Sequence, residues 1–176
     1  MFYLRQKTIL INLIVLLFCW ISTGFNSYTI TYLLNQLGQE YINYVCTSIT
    51  ALIAFGSGGF IFMKVGIKLG LGGCYLCALF GGIVALLYSL KHQQSPYFII
   101  FWQFVQFGVS GSFQILYVSH FSVFPTLFAS SSYGFLNFMS VIASILSPQV
   151  AELGEPTPVI VCTSLVAVSF VSIFFL

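Results

Sequence analysis

The chain has 176 residues, of which 59% are hydrophobic and only 5% are charged. Soluble domains carry a charge on roughly 25% of their residues, so this composition excludes a water-facing globular surface. The formal net charge of +2 comes from side chains that form no basic patch, which excludes a nucleic-acid-binding protein. The composition therefore predicts an integral membrane protein whose main partner is the lipid bilayer.

Polar or helix-breaking clusters divide the chain into stretches of transmembrane length. A bilayer core of ~30 Å is crossed by about 20 helical residues. The clusters lie at 35–40, 64–68 and 91–96, around 125 and at 152–158. The predicted helices are 8–34, 42–63, 69–90, 96–120, 127–151 and 158–176. Because the loops are short, neighbouring helices must run antiparallel, and the predicted fold class of 1–176 is a single all-α membrane domain, a six-helix bundle.

The first stretch and the basic residues predict the orientation of this bundle. Arg5 and Lys7 precede the first helix as in a signal peptide, but the apolar stretch is too long and lacks a cleavage site, so we interpret it as a retained span. With six helices, Arg5, Lys7, Lys64 and Lys68 lie on one side of the membrane and Lys91 on the other. The positive-inside rule then places both termini on the cytoplasmic or matrix-equivalent side.

Glycine is frequent in the second, third and fourth predicted helices. Small residues let helix backbones approach closely in lipid, where packing rather than the hydrophobic effect drives association. These glycines therefore predict close helix contacts. They are Gly56, Gly58, Gly59, Gly70, Gly72, Gly73, Gly81, Gly82, Gly108 and Gly111.

The chain shows no pattern that is typical of catalysis. It contains no nucleophile paired with a base, no paired carboxylates and no phosphate-binding loop. Cys74 and Cys77 form a C-x-x-C, but without a second pair or a nearby histidine they are interpreted as small buried hydrophobic residues. We therefore predict that the chain is not an enzyme and holds neither a cofactor nor a metal.

The second predicted loop, 59–68, resembles the G-x-x-x-D-[RK]-x-G-x-[RK] loop of the major facilitator superfamily, which joins the second and third helices of a six-helix half. The chain keeps Gly59, Lys64, Gly66 and Lys68. The resemblance implies a gating loop, in which an acidic residue locks the cations to a neighbouring helix. Met63 occupies the position of that acid, so the lock is missing here.

Phe124-Pro125-Thr126 is similar to the [YF]-P-T that opens the eleventh helix of organic-ion and sugar transporters in this superfamily. The resemblance continues without gaps to Gly154 and is also visible near the start of the chain, where the sequence looks like the beginning of the seventh helix. It implies the C-terminal half of an organic-cation/anion-type transporter. The residues that carry it are Leu4, Arg5, Thr8, 20–25, Tyr28, Gly134, Ser144, Ile145, Pro148 and Leu153.

Charged positions of that family are replaced in this chain. Ser122 and Ala129 stand where the family has an acid and an arginine, and Val141 stands where organic-ion members commonly carry a charge. Charges inside the membrane usually mark a substrate or ion path. Their replacement favours a neutral or weakly polar substrate.

Transporters of this type bind substrate near the bilayer midplane, between two halves. Polar or aromatic residues near the middle of a helix are therefore candidates for lining a cavity. Gln103 and Gln106 share one helix face, although such amides more often form hydrogen bonds between helices. The candidates are Asn26, Tyr28, Trp102, Gln103, Gln106 and Asn137.

Two further residues allow specific expectations. His120 lies near a predicted helix end, where a histidine could couple to protons, but we expect a solvated side chain. Pro148 lies inside the fifth predicted helix, where it removes a backbone hydrogen bond and should kink the span.

Two functions remain open from the sequence. The chain could be half of a solute transporter that works with a second membrane polypeptide or with another copy of itself. Alternatively, it could be a transport-inactive accessory subunit of a larger membrane complex, with the mitochondrial inner membrane as one candidate compartment.

Overall fold

The computed structural model describes the backbone of residues 2–36, 40–90, 97–154 and 156–176, and the side chains of 7–34, 41–90, 99–154 and 156–176. The predicted break at 91–96 with Lys91, the centre of the break at 35–40, and the side chain of Arg5 lie outside this range. The helices are α1 Phe2–Gln36, α2 Glu40–Leu90, α3 Tyr97–Val123, α4 Thr126–Ile145, α5 Ser147–Ala151 and α6 Thr157–Ser172, followed by a 3₁₀ turn, Ile173–Phe175.

Five of the described helical stretches are long and apolar enough to cross a membrane. They are Lys7–Leu34, Tyr41–Leu90, Ile99–Val123, Thr126–Ala151 and Thr157–Phe175. Large apolar side chains remain exposed along all of them, as expected where lipid replaces water. The prediction of an all-helical membrane protein is confirmed.

Helix α2 is divided at one residue. Its 51 residues would extend over about 75 Å if straight, more than twice the thickness of a bilayer core. Gly66 has φ 81° and ψ 178°, a conformation that is essentially restricted to glycine, and it interrupts the helix. We call the segments on either side α2a (40–65) and α2b (67–90). The predicted break at 64–68 is thus a single-residue turn.

The two segments of α2 run in opposite directions along α3. Along α2a, Thr47 is hydrogen bonded to Gln103 and Ala54 lies beside Gly111, so α2a is parallel to α3. The order is reversed in α2b, which is therefore antiparallel to α3. Its contacts with α3 are Gly81 beside Phe101, Ala78 beside Gly108 and Gly70 beside Ile115. The chain consequently folds back on itself at Gly66.

Helix α1 has one parallel and one antiparallel neighbour. The Ser140 hydroxyl on α4 donates to the Trp20 carbonyl, and Thr29 is hydrogen bonded to Ser147 at the start of α5, so α1 and α4 are parallel. The Ser169 hydroxyl on α6 donates to the Phe18 carbonyl, 3.2 Å away, while Thr29 also contacts Cys162. Helices α1 and α6 are therefore antiparallel.

Helix α6 also packs antiparallel to α2b. The Lys68 ammonium donates to the Phe174 carbonyl, and Gly82 lies beside Thr163. Together these contacts relate α1, α2a and α2b to α3, α4 and α6. If α1, α2a and α2b are exchanged for α3, α4 and α6, respectively, the parallel pair α1–α4 becomes the parallel pair α3–α2a. The antiparallel pair α1–α6 becomes the antiparallel pair α3–α2b. Helices α1, α2a and α2b thus run in directions opposite to those of α3, α4 and α6, respectively, and we refer to the two sets as three-helix units.

Several boundaries differ from the expected ones. Helix α3 continues to Val123 rather than 120, because Pro125 is the first residue that prevents its continuation. The stretch 127–151 is divided at Leu146, immediately before the turn that contains Pro148. Because proline has no amide hydrogen, the helical ladder is interrupted there, as expected from the sequence.

Candidate functional site

An aromatic cluster joins α1, α3 and α4. The ring centroid of Trp20 lies 4.9 Å from Tyr117, 5.6 Å from Phe113 and 5.7 Å from Tyr133, in tilted or edge-on arrangements that aromatic quadrupoles favour. Trp20 is completely buried, whereas the other three rings are partly exposed. Its indole nitrogen has no hydrogen-bond partner among the described residues. The cluster therefore extends from the buried Trp20 to partly exposed rings at a surface of the bundle.

His120 extends this cluster into the contact between α3 and α4, and it is completely buried. Its Nε2 lies 2.9 Å from the Ala129 carbonyl oxygen and 3.1 Å from the Ser132 hydroxyl. Because a carbonyl can only accept, Nε2 carries the hydrogen. The expectation of a solvated histidine is wrong, because the chain reverses after Pro125 and α4 covers the ring.

The [YF]-P-T residues form the start of α4. Pro125 has φ −57° and ψ 145°, and its carbonyl accepts hydrogen bonds from the amides of Phe128 and Ala129, both at 2.9 Å. Thr126 is the first helical residue and is exposed. The ring of Phe124 packs 4.9 Å from that of His120. The motif thus sets the reversal that buries the histidine.

The predicted gating loop is the turn between α2a and α2b. Gly66 makes the turn, and the Lys68 ammonium donates to the Phe174 carbonyl at 3.1 Å, near the end of α6. The Lys64 nitrogen lies 4.5 Å from the centroid of the Phe60 ring, in a cation–π arrangement. Met63 is 75% exposed. The two cations therefore contact a ring and a helix-end carbonyl.

Gly59, the first glycine of the same motif, lies on α2a and faces α3. A Cβ at this position would be 4.0 Å from the Gln114 amide nitrogen, which is ordinary van der Waals distance. The neighbouring Gly58 is in tighter contact with α3, 3.0 Å from the Gly111 carbonyl by the same construction. In this part of the contact, α2a thus approaches α3 more closely at Gly58 than at Gly59, the glycine of the motif.

The side-chain amides of Gln103 and Gln106 on α3 form only some of the hydrogen bonds that they could form. Gln103 donates its amide hydrogen to the Thr47 hydroxyl, 3.4 Å away on α2a, and Gln106 donates to the Ser110 hydroxyl at 3.2 Å. The first bond matches the alternative in which these amides connect helices. However, both Oε1 atoms are buried without a hydrogen-bond partner among the described residues. Two acceptors on one face of α3 are therefore available.

The other candidates differ in their surroundings. Asn26 is completely buried, and its amide nitrogen donates to the Ser22 carbonyl at 2.7 Å, within α1. Trp102 is also buried, Asn137 is half-buried and Tyr28 is 57% exposed. The predicted set thus does not share one environment, and the sequence did not indicate which members face the interior.

A cavity that the sequence reasoning missed lies between the end of α1 and the start of α2a. Its volume is about 180 Å³, and five of its seven lining residues carry a hydroxyl or amide. The lining residues are Thr31, Leu34, Asn43, Tyr44, Thr47, Ser48 and Ala51. The available signal was the spacing of polar residues on α2a, where 43, 44, 47 and 48 return to one helix face at intervals of three and four.

Comparison with known proteins finds one informative similarity. The chain is 26% identical over 152 residues to a Caenorhabditis elegans protein named "Putative transporter". The matched stretch is 85% of this chain but only 30% of the nematode protein, so the chain spans about a third of that relative's length. No protein-family model matches the chain. The similarity supports a transporter-like membrane protein.

Proposed function

We propose that this chain is one six-helix half of a secondary transporter of the major facilitator type, similar to the organic-ion and sugar transporters. The observation that carries the proposal is the relation between the two three-helix units, α1–α2a–α2b and α3–α4–α6. Internal repeats with inverted topology are characteristic of secondary transporters, and in major facilitators each half contains such a pair.

The division of α2 at Gly66 supports six membrane crossings. Since α2a and α2b run antiparallel to each other beside α3, each can cross the bilayer once. The start of α1 and the end of α6 then lie at the same end of the bundle, because α1 and α6 are antiparallel. The described lysines Lys7, Lys64 and Lys68 gather at that end. By the positive-inside rule, this is the cytoplasmic or matrix-equivalent side.

A second six-helix half would complete the substrate path. Most of α4 remains exposed, and added Cβ atoms at Gly56 of α2a and Gly134 of α4 would meet nothing within 4 Å. These open small residues would allow close approach of further helices. The match to only part of a longer transporter-like protein agrees with this view. The second half would come from further sequence, another polypeptide or a second copy.

The proposal can be tested by identifying what covers these surfaces. We would place single photo-crosslinking residues at Gly56 and Gly134, and a control at Phe175 in the C-terminal turn. Mass spectrometry should identify six-helix polypeptides or a second copy at the first two positions and lipid at the control. If the partners are instead the subunits of a larger complex, and reconstituted protein moves no solute, the accessory-subunit alternative is correct.

Once a transported solute is found, the α3 face can be examined directly. Gln103→Leu and Gln106→Leu should raise the KM for uptake, since each removes an acceptor that has no hydrogen-bond partner among the described residues. Gln149→Leu, an exposed amide on α5, is the matched control and should leave uptake unchanged. Normal assembly with unaltered uptake in both α3 variants would show that these glutamines do not contact the solute.

A further inference from the structure

The turn at Gly66 brings two cations together at one end of the bundle. Lys64 lies in the last turn of α2a and Lys68 in the first turn of α2b, and both side chains are exposed. Because α2a and α2b run antiparallel on either side of Gly66, the two lysines lie at a similar height along the bundle axis. One short turn therefore carries two of the five basic residues of the chain.

Neither ammonium group is paired with an acidic side chain among the described residues. Lys68 donates to the Phe174 carbonyl at 3.1 Å, which uses one of its three hydrogens. Lys64 contacts the face of the Phe60 ring, which carries no formal charge. Glu152, the one acid whose side chain is described, lies between α5 and the start of α6, at the end of α6 opposite Lys68. Both cations thus keep hydrogens and charge for an anion.

An exposed apolar face of α2b begins beside these cations. Leu69 is 69% exposed and Leu76 is 54% exposed. Gly72 and Gly73 lie between them on the same face, because residues three, four and seven apart return to one side of a helix. An added Cβ at either glycine would meet nothing within 4 Å. The two leucines therefore border a shallow depression, which starts one helical turn from Lys68 on the bilayer side.

The arrangement of charge above an apolar depression fits a lipid. A phosphate group accepts short, charge-assisted hydrogen bonds from ammonium groups, and lysines next to a membrane span attract anionic lipids. An acyl chain is apolar and narrow enough to pack over glycine by dispersion. An apolar helix packed on the same glycines would leave the lysines without an anion. The charges therefore favour a lipid over a polypeptide.

We propose that this surface binds one anionic phospholipid. The phosphate lies between Lys64 and Lys68, and one acyl chain lies over the glycines of α2b. Because the headgroup contacts both α2a and α2b, the lipid stabilises the turn at which α2 reverses. The proposal rests on the packing of the helices and does not depend on whether the chain moves a solute.

Lipid retention is measured on the intact chain in detergent micelles by native mass spectrometry. The probes are phosphatidylglycerol and phosphatidylcholine with identical acyl chains. Both contain a phosphate, but the choline cation cancels its charge. One phosphatidylglycerol should remain bound, at least about fivefold more strongly than phosphatidylcholine, since each lysine near the phosphate is worth about that factor.

Charge variants locate the headgroup. Lys64→Gln and Lys68→Gln should each lower the retention of phosphatidylglycerol about fivefold. Lys7→Gln, which removes one charge at the same end of the bundle but outside the turn, is the matched control and should retain the lipid as the wild type does. Met63→Asp keeps both lysines but adds an acid beside them, and its loss should be at least as large. Met63 is 75% exposed, so this change does not disturb the core.

A second pair of variants locates the acyl chain. Gly73→Leu fills the depression and should lower retention about threefold, because the chain loses part of its packing surface. Gly134→Leu on α4 is the matched control, since an added Cβ there also meets nothing within 4 Å, and it should leave retention unchanged. Soluble glycerol phosphate in large excess should not displace the lipid, because it lacks acyl chains.

Four results would overturn the inference. They are equal retention of the two lipids, equal losses in all three lysine variants, displacement by glycerol phosphate, and a photo-crosslink from position 73 to a polypeptide. Equal losses would indicate a general attraction between the basic end and anionic lipid. Displacement would mean that a free phosphate ester is the ligand, and the crosslink would mean that a helix covers α2b. A protein that moves no solute can still retain the lipid, so this inference and the transport proposal fail separately.

Discussion

The contact of α3 with α2b and the contact of α1 with α4 each join two helices of the bundle, yet they are built from different chemistry. On the α3 side the helices meet through glycine. An added Cβ at Gly108 would collide with the Cys74 carbonyl and lie 2.7 Å from the Ala78 nitrogen, and one at Gly81 would lie 2.7 Å from the Phe101 carbonyl. Backbone there packs directly on backbone.

On the α1 side the helices meet through hydroxyl groups. The Ser140 hydroxyl donates to the Trp20 carbonyl at 2.8 Å, and Thr29 and Ser147 share a hydrogen bond of the same length. Gly24 does lie at this interface, but the atom nearest to its added Cβ is the Ser140 hydroxyl, the end of a side chain that can rotate.

The difference teaches that helices of one bundle can be held together in two ways. A glycine contact is stabilised by dispersion between the two helix backbones. It is rigid, because neither helix can move away without losing the whole interface. A hydroxyl contact contributes less per bond but tolerates change, since a side chain can turn away. The α2–α3 contact should therefore be the rigid side of the bundle, and α1–α4 the adaptable side.

The largest effect is expected for Gly108→Ala. The methyl group meets backbone atoms of α2b, and we expect an overpacking cost of about 3 kcal/mol. This exceeds the roughly 1 kcal/mol that alanine gains over glycine in a helix, so the variant should be about 2 kcal/mol less stable. Equilibrium unfolding in mixed detergent micelles measures the change.

Gly72→Ala is the matched control for this substitution. It lies on α2b, and an added Cβ there would meet nothing within 4 Å. Its stability should equal or slightly exceed that of the wild type. Equal losses in Gly72→Ala and Gly108→Ala would mean that α2b and α3 are not in direct backbone contact.

Gly66→Ala examines the turn that brings both segments of α2 onto α3. An added Cβ has open space, so the cost comes only from a backbone conformation that side chains disfavour. We expect a loss of about 1.5 kcal/mol in the same unfolding measurement. A neutral result would indicate that the turn adopts ordinary helical angles, and α2 would then be a single continuous helix.

Gly24→Ala should cost about 1 kcal/mol, because Ser140 must rotate and give up its bond to the Trp20 carbonyl. In a Ser140→Ala background the same substitution should cost less than half as much. A double-mutant cycle of unfolding free energies provides the comparison. Additive losses would contradict the idea that this interface adapts through a side chain.

The smallest effect is expected for the bond between Thr29 and Ser147. Hydrogen bonds between helices in membrane proteins average about 0.6 kcal/mol in double-mutant cycles. Thr29→Val, Ser147→Ala and the double variant should yield a coupling of about that size. A coupling above roughly 2 kcal/mol would make the α1–α4 contact as rigid as the glycine contact and remove the distinction between the two sides.

The polar residues of the site were harder to predict than the helices. Gln103 and Gln106 were identified because an amide in an apolar helix is rare, and the structure leaves an acceptor open on each. His120 was expected to be solvated because it lies near a helix end, and its burial depends on how α4 folds back. The cavity lined by Thr31 and Thr47 was missed, because hydroxyls that bond to their own helix are common in apolar spans and polar residues that recur on one helix face do not by themselves indicate a cavity.

The sequence by itself determined that this chain lies in a membrane and roughly where its helices begin and end. Apolar runs must satisfy their backbone groups within the helix, and proline, glycine and charge interrupt them. Only the tertiary structure decided which faces meet: Gly108 is packed against α2b whereas Gly72 is open, and Tyr28 is exposed whereas Asn26 is buried. The reason is that lipid and protein interior are both apolar, so the polar face that reveals the packing side of a helix in water is absent here.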